Sequence, residues 1–271
     1  MDEIDFYLKE DLGDKGDITS QSLLKDEKVK GKILCKQNCI VAGLEESKKI
    51  FEKLDVKIKF NVKDGDKIKK GWIVAEVTGS ALAILKGERL TLNFIGRMSG
   101  IATETKKIVD KCKKINPNIN IAATRKTTPG FRKFEKKAVE TGGGKSHRFG
   151  LYDAIIIKDN HIKIMGSVEN AIQKIKNKIR DEPIEIEVQN EQEAITAAKL
   201  NVDVIMLDNF TYKNAKITSE KIKKINPKIL IEISGGINQK NISDYASFSD
   251  RISLGYLTHS IKSIDFSLEI I

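Results

Sequence analysis

The chain has 271 residues, of which 40% are hydrophobic, and a formal net charge of +10. This length is sufficient for one large domain or two modest ones. No stretch reaches the ~18 consecutive apolar residues of a membrane span, and the acidic start, Met1 to Asp5, is unlike a signal peptide, so we expect a cytoplasmic protein without a membrane partner.

Several predicted strands lie close together in the first part of the chain. Alternation of apolar and polar residues predicts strands at 29–36, 56–62 and 72–78, and a helix at 45–54. The acidic, glycine-containing stretch 10–20 lacks the ligand spacing of an EF-hand, and we interpret it as a turn rather than a calcium site. These elements predict a small α/β sandwich domain.

A long helix is predicted from Ala81 to about Ile115, with glycines at positions 96 to 100 where it can break. Apolar residues recur on more than one side of this helix. A helix that is buried on several sides is expected to join domains or subunits.

After this helix, apolar strand-like runs alternate with helix-like stretches at 168–179, 191–198 and 213–225. The six predicted strands end at Thr124, Lys158, Glu187, Asp208, Ser234 and Gly255. Such alternation implies parallel strands with right-handed crossovers. Polar residues at the strand ends are typical of a (β/α) barrel whose site lies at the C-terminal mouth. Because only six strands are visible, we predict an incomplete barrel.

The predicted domain boundaries follow from the change in secondary-structure pattern after the long helix, where strands and helices begin to alternate. Residues 1–112 are assigned to an N-terminal α/β sandwich domain and residues 113–261 to a catalytic, incomplete α/β barrel. The last segment, 262–271, alternates as a strand with no helix after it. We expect this strand to return to the first domain.

The numbers and positions of lysine, arginine and cysteine limit the kinds of binding site that the chain can contain. Lysines lie beside acidic residues throughout the chain, which predicts solvated surfaces rather than a nucleic-acid interface. Only seven of the 48 basic residues are arginine, so each arginine is a candidate for a planar, bidentate contact. The three cysteines, Cys35, Cys39 and Cys112, lack the second pair of a zinc site and predict free thiols.

Cationic residues gather at the predicted mouth. Arg125 and Lys126 follow one strand, His147 and Arg148 lie in the next loop, and Lys158 ends the following strand. Cations that share one rim repel each other unless an anion lies between them. The pattern therefore predicts a carboxylate or phosphate ligand.

Acids and glycines complete the mouth. Glu187 and Asp208 end adjacent strands, where they suit ribose hydroxyls, a divalent metal or a cation formed during reaction; the alternative is that they only neutralise nearby lysines. The last two strands end in Ser234-Gly235-Gly236 and in Gly255, and His259 follows. Loops in these positions commonly bind phosphate.

The motifs at these positions resemble those of the quinolinate phosphoribosyltransferase family. They include EDLGDKGDITS near the start, KGERLTLNFIGRMSGIAT in the long helix, and then TRKTTPG, GGGKSHRFGL, IIIKDNH, IMLDNF, EISGGI and ISLGYLTHS. The resemblance covers almost the whole chain and implies an α/β sandwich domain followed by an incomplete barrel. It also implies decarboxylating transfer of phosphoribose to quinolinate, which gives nicotinate mononucleotide, pyrophosphate and CO₂ in NAD biosynthesis.

The resemblance implies roles for the residues at the mouth. The two quinolinate carboxylates would be bound by Arg125, His147, Arg148 and Lys158. Arg89 would be supplied by the partner subunit of a homodimer. The resemblance leaves open whether such dimers assemble into a higher oligomer. Catalytic residues would be Lys126, Glu187 and Asp208. The 5-phosphate of phosphoribosyl pyrophosphate would meet Ser234, Gly235, Gly236, Gly255 and His259. Mg²⁺ would arrive with the pyrophosphate, and no residue is assigned as its direct ligand.

Two further expectations and two alternatives accompany these roles. Glu187 and Asp208 could stabilise an oxocarbenium-like state, and Lys126 could protonate the ring carbon after loss of CO₂. One alternative is a relative of the same fold with another substrate, of the type associated with molybdenum transport. The other is a basic nucleic-acid-binding protein, whose affinity would fall steeply with salt.

Overall fold

The computed structural model describes residues 3–179 and 181–271, which fold into two compact units. The first unit contains the chain up to residue 106 together with 130–143 and 260–271, and the second contains 107–129 and 144–259. The predicted boundary at residue 112 differs from this division mainly at 130–143, which joins the first unit.

Helices and strands alternate along the described chain. Up to residue 113 they are α1 (Glu3–Leu12), α2 (Ile18–Leu23), β1 (Lys28–Cys35), β2 (Cys39–Ile40), α3 (Leu44–Lys53), β3 (Lys57–Phe60), β4 (Lys67–Ile68), β5 (Ile73–Ser80) and α4 (Ala81–Lys113). From there to residue 208 they are β6 (Asn120–Ala122), α5 (Arg132–Thr141), β7 (Ile155–Ile157), α6 (Asp159–Met165), α7 (Val168–Lys176), β8 (Ile184–Val188), α8 (Glu191–Lys199) and β9 (Val204–Asp208). The last are α9 (Tyr212–Ile225), β10 (Leu230–Ser234), α10 (Ile242–Ala246), β11 (Arg251–Ser253), α11 (Tyr256–His259) and β12 (Phe266–Ile270). None of the described helices is long and apolar enough to span a bilayer.

The first unit is built on a four-stranded antiparallel sheet in the order β12-β1-β5-β3. Alternate residues of β1, such as Ile33 and Cys35, are buried and pack with Val77 and Phe51 in the core. The last strand of the chain pairs with β1, from Gly31 opposite Ile270 onwards. The short pair β2 and β4 was not predicted, because strands of two residues show no period.

Segment 130–143 joins the first unit through an aromatic cluster and an ion pair. The rings of Phe131 and Phe134 pack against Phe94 at centroid distances of 5.0 and 4.9 Å. Arg97 donates through Nη2 to the buried carboxylate of Glu135 at 2.7 Å. These contacts link α5 to α4 although 38 positions separate Arg97 from Glu135 in the chain, so the sequence pattern alone did not reveal them.

The long helix α4 is continuous, and the break considered near Gly96 to Gly100 does not occur. A Cβ on Gly96 would lie 2.8 Å from Ile264 O, and a Cβ on Gly100 would lie 2.3 Å from Lys262 O. Ile264 N also donates to Gly96 O at 3.0 Å. The glycines therefore let the segment before β12 approach the helix backbone.

The second unit contains a six-stranded parallel sheet in the order β6-β11-β10-β9-β8-β7. Apolar runs such as 204–207 are buried, as expected for parallel strands covered by helices. Both β6 and β7 are edge strands of this sheet. The structure confirms the predicted α/β class, with an incomplete barrel and a separate sheet domain.

Candidate active site

The C-terminal ends of the six parallel strands surround a cavity of about 650 Å³. Every barrel residue predicted for the site lines this cavity, namely Arg125, Lys126, His147, Arg148, Lys158, Glu187, Asp208, Ser234, Gly235, Gly236, Gly255 and His259. Arg89 lies on α4 in the first unit and is exposed. Its contribution to a site therefore stays a prediction.

Two guanidinium groups face the cavity. The Nε atom of Arg125 is buried and has no hydrogen-bond partner among the described residues. Burial, and then the positive charge of Arg125, lower the pKa of Arg148. A buried donor without an acceptor, close to a second cation, is an environment that an anion would stabilise.

An ion pair joins two neighbouring strand ends. Lys158, directly after β7, pairs through Nζ with Oε2 of Glu187 on β8. The Lys158 side chain is 42% exposed, whereas that of Glu187 is 12% exposed. The ammonium is therefore the accessible partner, and Glu187 holds it at the mouth.

The helix after β7 explains the neighbouring His161. Helix α6, which was not predicted, begins at Asp159. The backbone N–H of Lys158 donates to Nδ1 of His161 at 2.9 Å, so this histidine caps the helix. The histidine of the KDNH stretch thus has a structural contact that fixes the backbone of Lys158.

Asn209 positions the acid and the glycine loop beside it. Its Nδ2 donates to Oδ2 of Asp208 at 2.6 Å, and its backbone N–H donates to Ser234 O at 2.9 Å. Gly235 has φ +82°, and a Cβ there would lie 2.3 Å from Oδ1 of Asn209. Only glycine fits this turn without displacing Asn209.

Lys126 is anchored by its backbone. The Oγ1 of Thr258 donates to Lys126 O at 2.7 Å, and lies 3.0 Å from Gly255 O. A Cβ on Gly255 would come within 3.0 Å of Lys126 and 3.1 Å of His259. The glycine therefore allows these two side chains to pack across the strand end.

His147 lies over two buried acids in the middle of the sheet. Its Nε2 is 3.4 Å from Oε2 of both Glu185 and Glu232. Arg251 contacts the same two carboxylates, at 2.5 Å between Nη2 and Oε2 of Glu185. Sequence reasoning missed Glu185, Glu232 and Arg251, although charged residues inside the apolar strands β8 and β10 and a rare arginine were available signals.

Burial and the two neighbouring acids act in opposite directions on the pKa of His147. Burial alone would lower the pKa of His147, but Glu185 and Glu232 more than offset it and raise the pKa to about 9. Burial raises the pKa of Glu232. The backbone N–H of Arg148 donates to Nδ1 of His147 at 2.7 Å, so a second ring proton would face that amide. A proton on His147 would balance the two carboxylates together with the charge of Arg251.

Two places offer acidic ligands to a metal. Among the described residues, His147, Glu185 and Glu232 bring ligand atoms within 4.8 Å of each other. Arg251 already occupies both carboxylates there, so a cation would have to displace a guanidinium. At the mouth, Oδ1 of Asp208 accepts no hydrogen bond from any residue that the structure describes. An oxygen ligand that faces the cavity suits Mg²⁺ carried by a phosphate compound.

Comparisons with known proteins agree with this geometry. The models of the quinolinate phosphoribosyl transferase N-terminal and C-terminal domains match residues 17–99 and 101–269. The chain is 41% identical, over 94% of its length and 98% of the relative's, to a probable nicotinate-nucleotide pyrophosphorylase (carboxylating) of Archaeoglobus fulgidus. It is 42% identical to a probable enzyme of the same name from Bacillus subtilis, over 98% of this chain and 92% of the relative. The crystal structure of the nicotinate-nucleotide pyrophosphorylase of Ehrlichia chaffeensis superposes with a TM-score of 0.94 at 38% identity, covering 99% of this chain and 97% of that one.

Proposed function

The chain belongs to the quinolinate phosphoribosyltransferase family, and we propose that the cavity at the ends of the parallel strands is its active site. The reaction is a pentosyl transfer in NAD biosynthesis. Phosphoribose moves from phosphoribosyl pyrophosphate to quinolinate, and nicotinate mononucleotide, pyrophosphate and CO₂ are released. The observation that carries the proposal is that one cavity gathers two guanidinium groups, three carboxylates and a glycine-rich strand end.

The cations would bind quinolinate. Arg125 offers a buried Nε without a partner, and Arg148 lies close enough for its pKa to be lowered by Arg125. Lys158 adds an accessible ammonium at the next strand end. Two adjacent ring carboxylates would place one anion on the pair of guanidinium groups and the other near Lys158.

The acids would act on the ribose. The bond between C1 and the pyrophosphate oxygen breaks as the pyridine nitrogen attacks, through an oxocarbenium-like state. Carboxylates at Glu187 and Asp208 would stabilise the positive charge that develops on the sugar. Mg²⁺, when bound with the pyrophosphate, would neutralise charge on the leaving group, and Asp208, which lines the cavity, is our candidate ligand for it.

Lys126 would serve the decarboxylation. After ribosylation the ring nitrogen is positive, so the electron pair left on the ring carbon by departing CO₂ is stabilised beside it. One proton must then be added to that carbon. Lys126 lines the cavity and its backbone is fixed by Thr258, so its ammonium is our candidate donor.

The ends of the last two strands would hold the 5-phosphate. Gly235 and Gly236 both have positive φ, which turns their backbone N–H groups out of the strand. Ser234 and Gly255 line the same part of the cavity, and His259 adds a side-chain donor. Backbone amides arranged in a turn are a common phosphate site.

A homodimer would complete the site. Leu151 and Tyr152 are 72% and 83% exposed, just before the edge strand β7, and Ile164 on the following helix is 80% exposed. Exposed apolar side chains beside an edge strand support a partner surface. We propose that a second copy of the chain binds there and that Arg89 is supplied from one subunit to the site of the other.

Product analysis tests the proposed function. The chain is incubated with quinolinate, phosphoribosyl pyrophosphate and Mg²⁺, and nicotinate mononucleotide is measured by chromatography. Product should form with quinolinate, and addition of a chelator should abolish it. No product under these conditions would refute the assignment of quinolinate as substrate.

A further inference from the structure

Two buried glutamates and a partly exposed arginine form an ionic cluster on strands β8, β10 and β11, and Glu232 of this cluster lines the cavity. Arg251 on β11 bonds through Nε to Glu232 on β10, and through Nη2 to Glu185 on β8 at 2.5 Å. The hydroxyl of Ser253 donates to the other oxygen of Glu232. The side chain of Glu232 is 0% exposed and that of Glu185 is 8% exposed. Two buried carboxylates at this depth require the guanidinium fork that bridges them.

His147 connects this cluster to the mouth. Its backbone has φ +54°, a left-handed conformation that non-glycine residues rarely adopt. Nε2 lies 3.4 Å from both glutamates, while Nδ1 accepts the backbone N–H of Arg148 at 2.7 Å. Both ring nitrogens are thus engaged within the chain. A direct bond from His147 to a quinolinate carboxylate, as predicted from the sequence, would require one of these contacts to break.

We propose that Glu185, Glu232 and Arg251 are positioning residues, which hold His147 in its left-handed conformation and thereby fix the backbone from which Arg148 enters the cavity. The proposal rests on the proposed function, because it assumes that Arg148 binds a carboxylate of quinolinate.

The opposing view is that the cluster is only a stabilising ion pair. Charge and burial alone do not distinguish the positioning role from the stabilising role, because disruption of the cluster would lower stability in both cases. A positioning role predicts in addition that disruption weakens the affinity for the dicarboxylate more than the affinity for phosphoribosyl pyrophosphate. The glycine-rich phosphate loop is held by its own contacts to Asn209.

Arg251→Lys is the test variant, because lysine keeps the charge but cannot bridge two carboxylates as a fork. Arg97→Lys is a matched control. Arg97 also forks onto a fully buried glutamate, Glu135, and the two arginine side chains are 22% and 23% exposed. Arg97 lies in the first unit and does not line the cavity.

We would measure four quantities for the wild type and both variants. They are the Kd for quinolinate by calorimetry, the KM for each substrate, kcat and the melting temperature. We expect Arg251→Lys to raise the Kd and KM for quinolinate ~10-fold, with the KM for phosphoribosyl pyrophosphate within ~2-fold of wild type. Arg97→Lys should lower the melting temperature without changing either KM.

If Arg251→Lys does not fold, Glu232→Gln replaces it, since glutamine keeps the shape and removes one charge. The same selective loss for quinolinate would support the proposal. A folded variant with both KM values unchanged, or with both raised equally, would overturn it. Failure of the wild type to use quinolinate would instead refute the proposed function, and the positioning role with it.

Discussion

Lys158 and Glu187 form an ion pair between the C-terminal ends of neighbouring strands β7 and β8. A carboxylate that binds Lys158 therefore has to share its ammonium with Glu187. Under the proposed function, the pair would place a cation for the acid substrate directly beside a carboxylate that could stabilise the developing sugar cation. This proximity leads to the first prediction.

Glu187→Gln should separate binding from chemistry. Loss of the carboxylate should lower kcat about 100-fold, because an electrostatic contact to the transition state is removed. The KM for quinolinate should stay unchanged or fall, since Lys158 is released from its pair. Steady-state kinetics measures both constants. The control is Glu191→Gln, because Glu191 lies on α8, after β8, and forms an exposed ion pair with Lys221. A raised KM for quinolinate in Glu187→Gln would contradict the assigned role.

Gly235→Ala should impair the phosphate loop. A Cβ at this position would lie 2.3 Å from Oδ1 of Asn209, whereas Gly166 has the same φ of +82° and nothing within 4 Å. Both substitutions should lower stability by about 1 kcal/mol because alanine disfavours this backbone conformation, and Gly235→Ala should lower it further because Asn209 has to move. Only Gly235→Ala should raise the KM for phosphoribosyl pyrophosphate. Equal KM values for the two variants would place the loop outside the phosphate site.

Stability should depend on pH through His147. Its pKa is about 9 in the folded chain against an ordinary value of 6.5, so the folded state binds the proton more tightly. The charged ring carries hydrogens on both nitrogens, so below this pKa the contact in which Nδ1 accepts from Arg148 N–H has to give way. This contribution is fully present below pH ~6.5 and is lost as the pH rises towards 9. The difference in melting temperature between wild type and His147→Asn should therefore shrink between pH 6.5 and 9.5. Asparagine tolerates the positive φ at this position, and a difference that stays constant would contradict the raised pKa.

Mixed dimers test the role of Arg89. Arg89→Ala and Arg125→Ala should each be nearly inactive, because each removes one cation from every site. When equal amounts are unfolded and refolded together, half of the dimers contain both chains. If Arg89 acts across the interface, about a quarter of all sites are then intact and activity should rise towards that level. Activity that stays at the level of the separate variants, with mixed dimers present, would refute the shared site.

The strand ends were predictable because their side chains follow apolar runs. Lys158, Glu187 and Asp208 each follow or end such a run, and parallel strands bring these ends to one mouth. The order of the strands in the sheet was not readable, because β6 pairs with β11, the last strand of the sheet, and this pairing places Asn120 opposite the sequence-distant Arg251. For the same reason the contacts of Arg251 with Glu185 and Glu232 became visible only in the structure.

Glycine was the least predictable residue from the sequence alone. At Gly235 it serves a turn with positive φ, which the strand-end pattern indicated. At Gly96 and Gly100 it serves close approach of a segment more than 150 positions away, and the helix continues through both. In both cases glycine only lowers the local helix or strand propensity. The sequence does not show which distant segment packs against it.

We propose that the cavity binds a pyridine dicarboxylate and that one of its carboxylates leaves as CO₂. Quinolinate labelled with carbon-13 in the 2-carboxylate, supplied with phosphoribosyl pyrophosphate and Mg²⁺, tests it directly by mass spectrometry. The account predicts one labelled CO₂ for each nicotinate mononucleotide formed, and little turnover of nicotinate, which has one carboxylate for the same set of cations. Product without labelled CO₂, or a comparable kcat/KM for nicotinate, would contradict it.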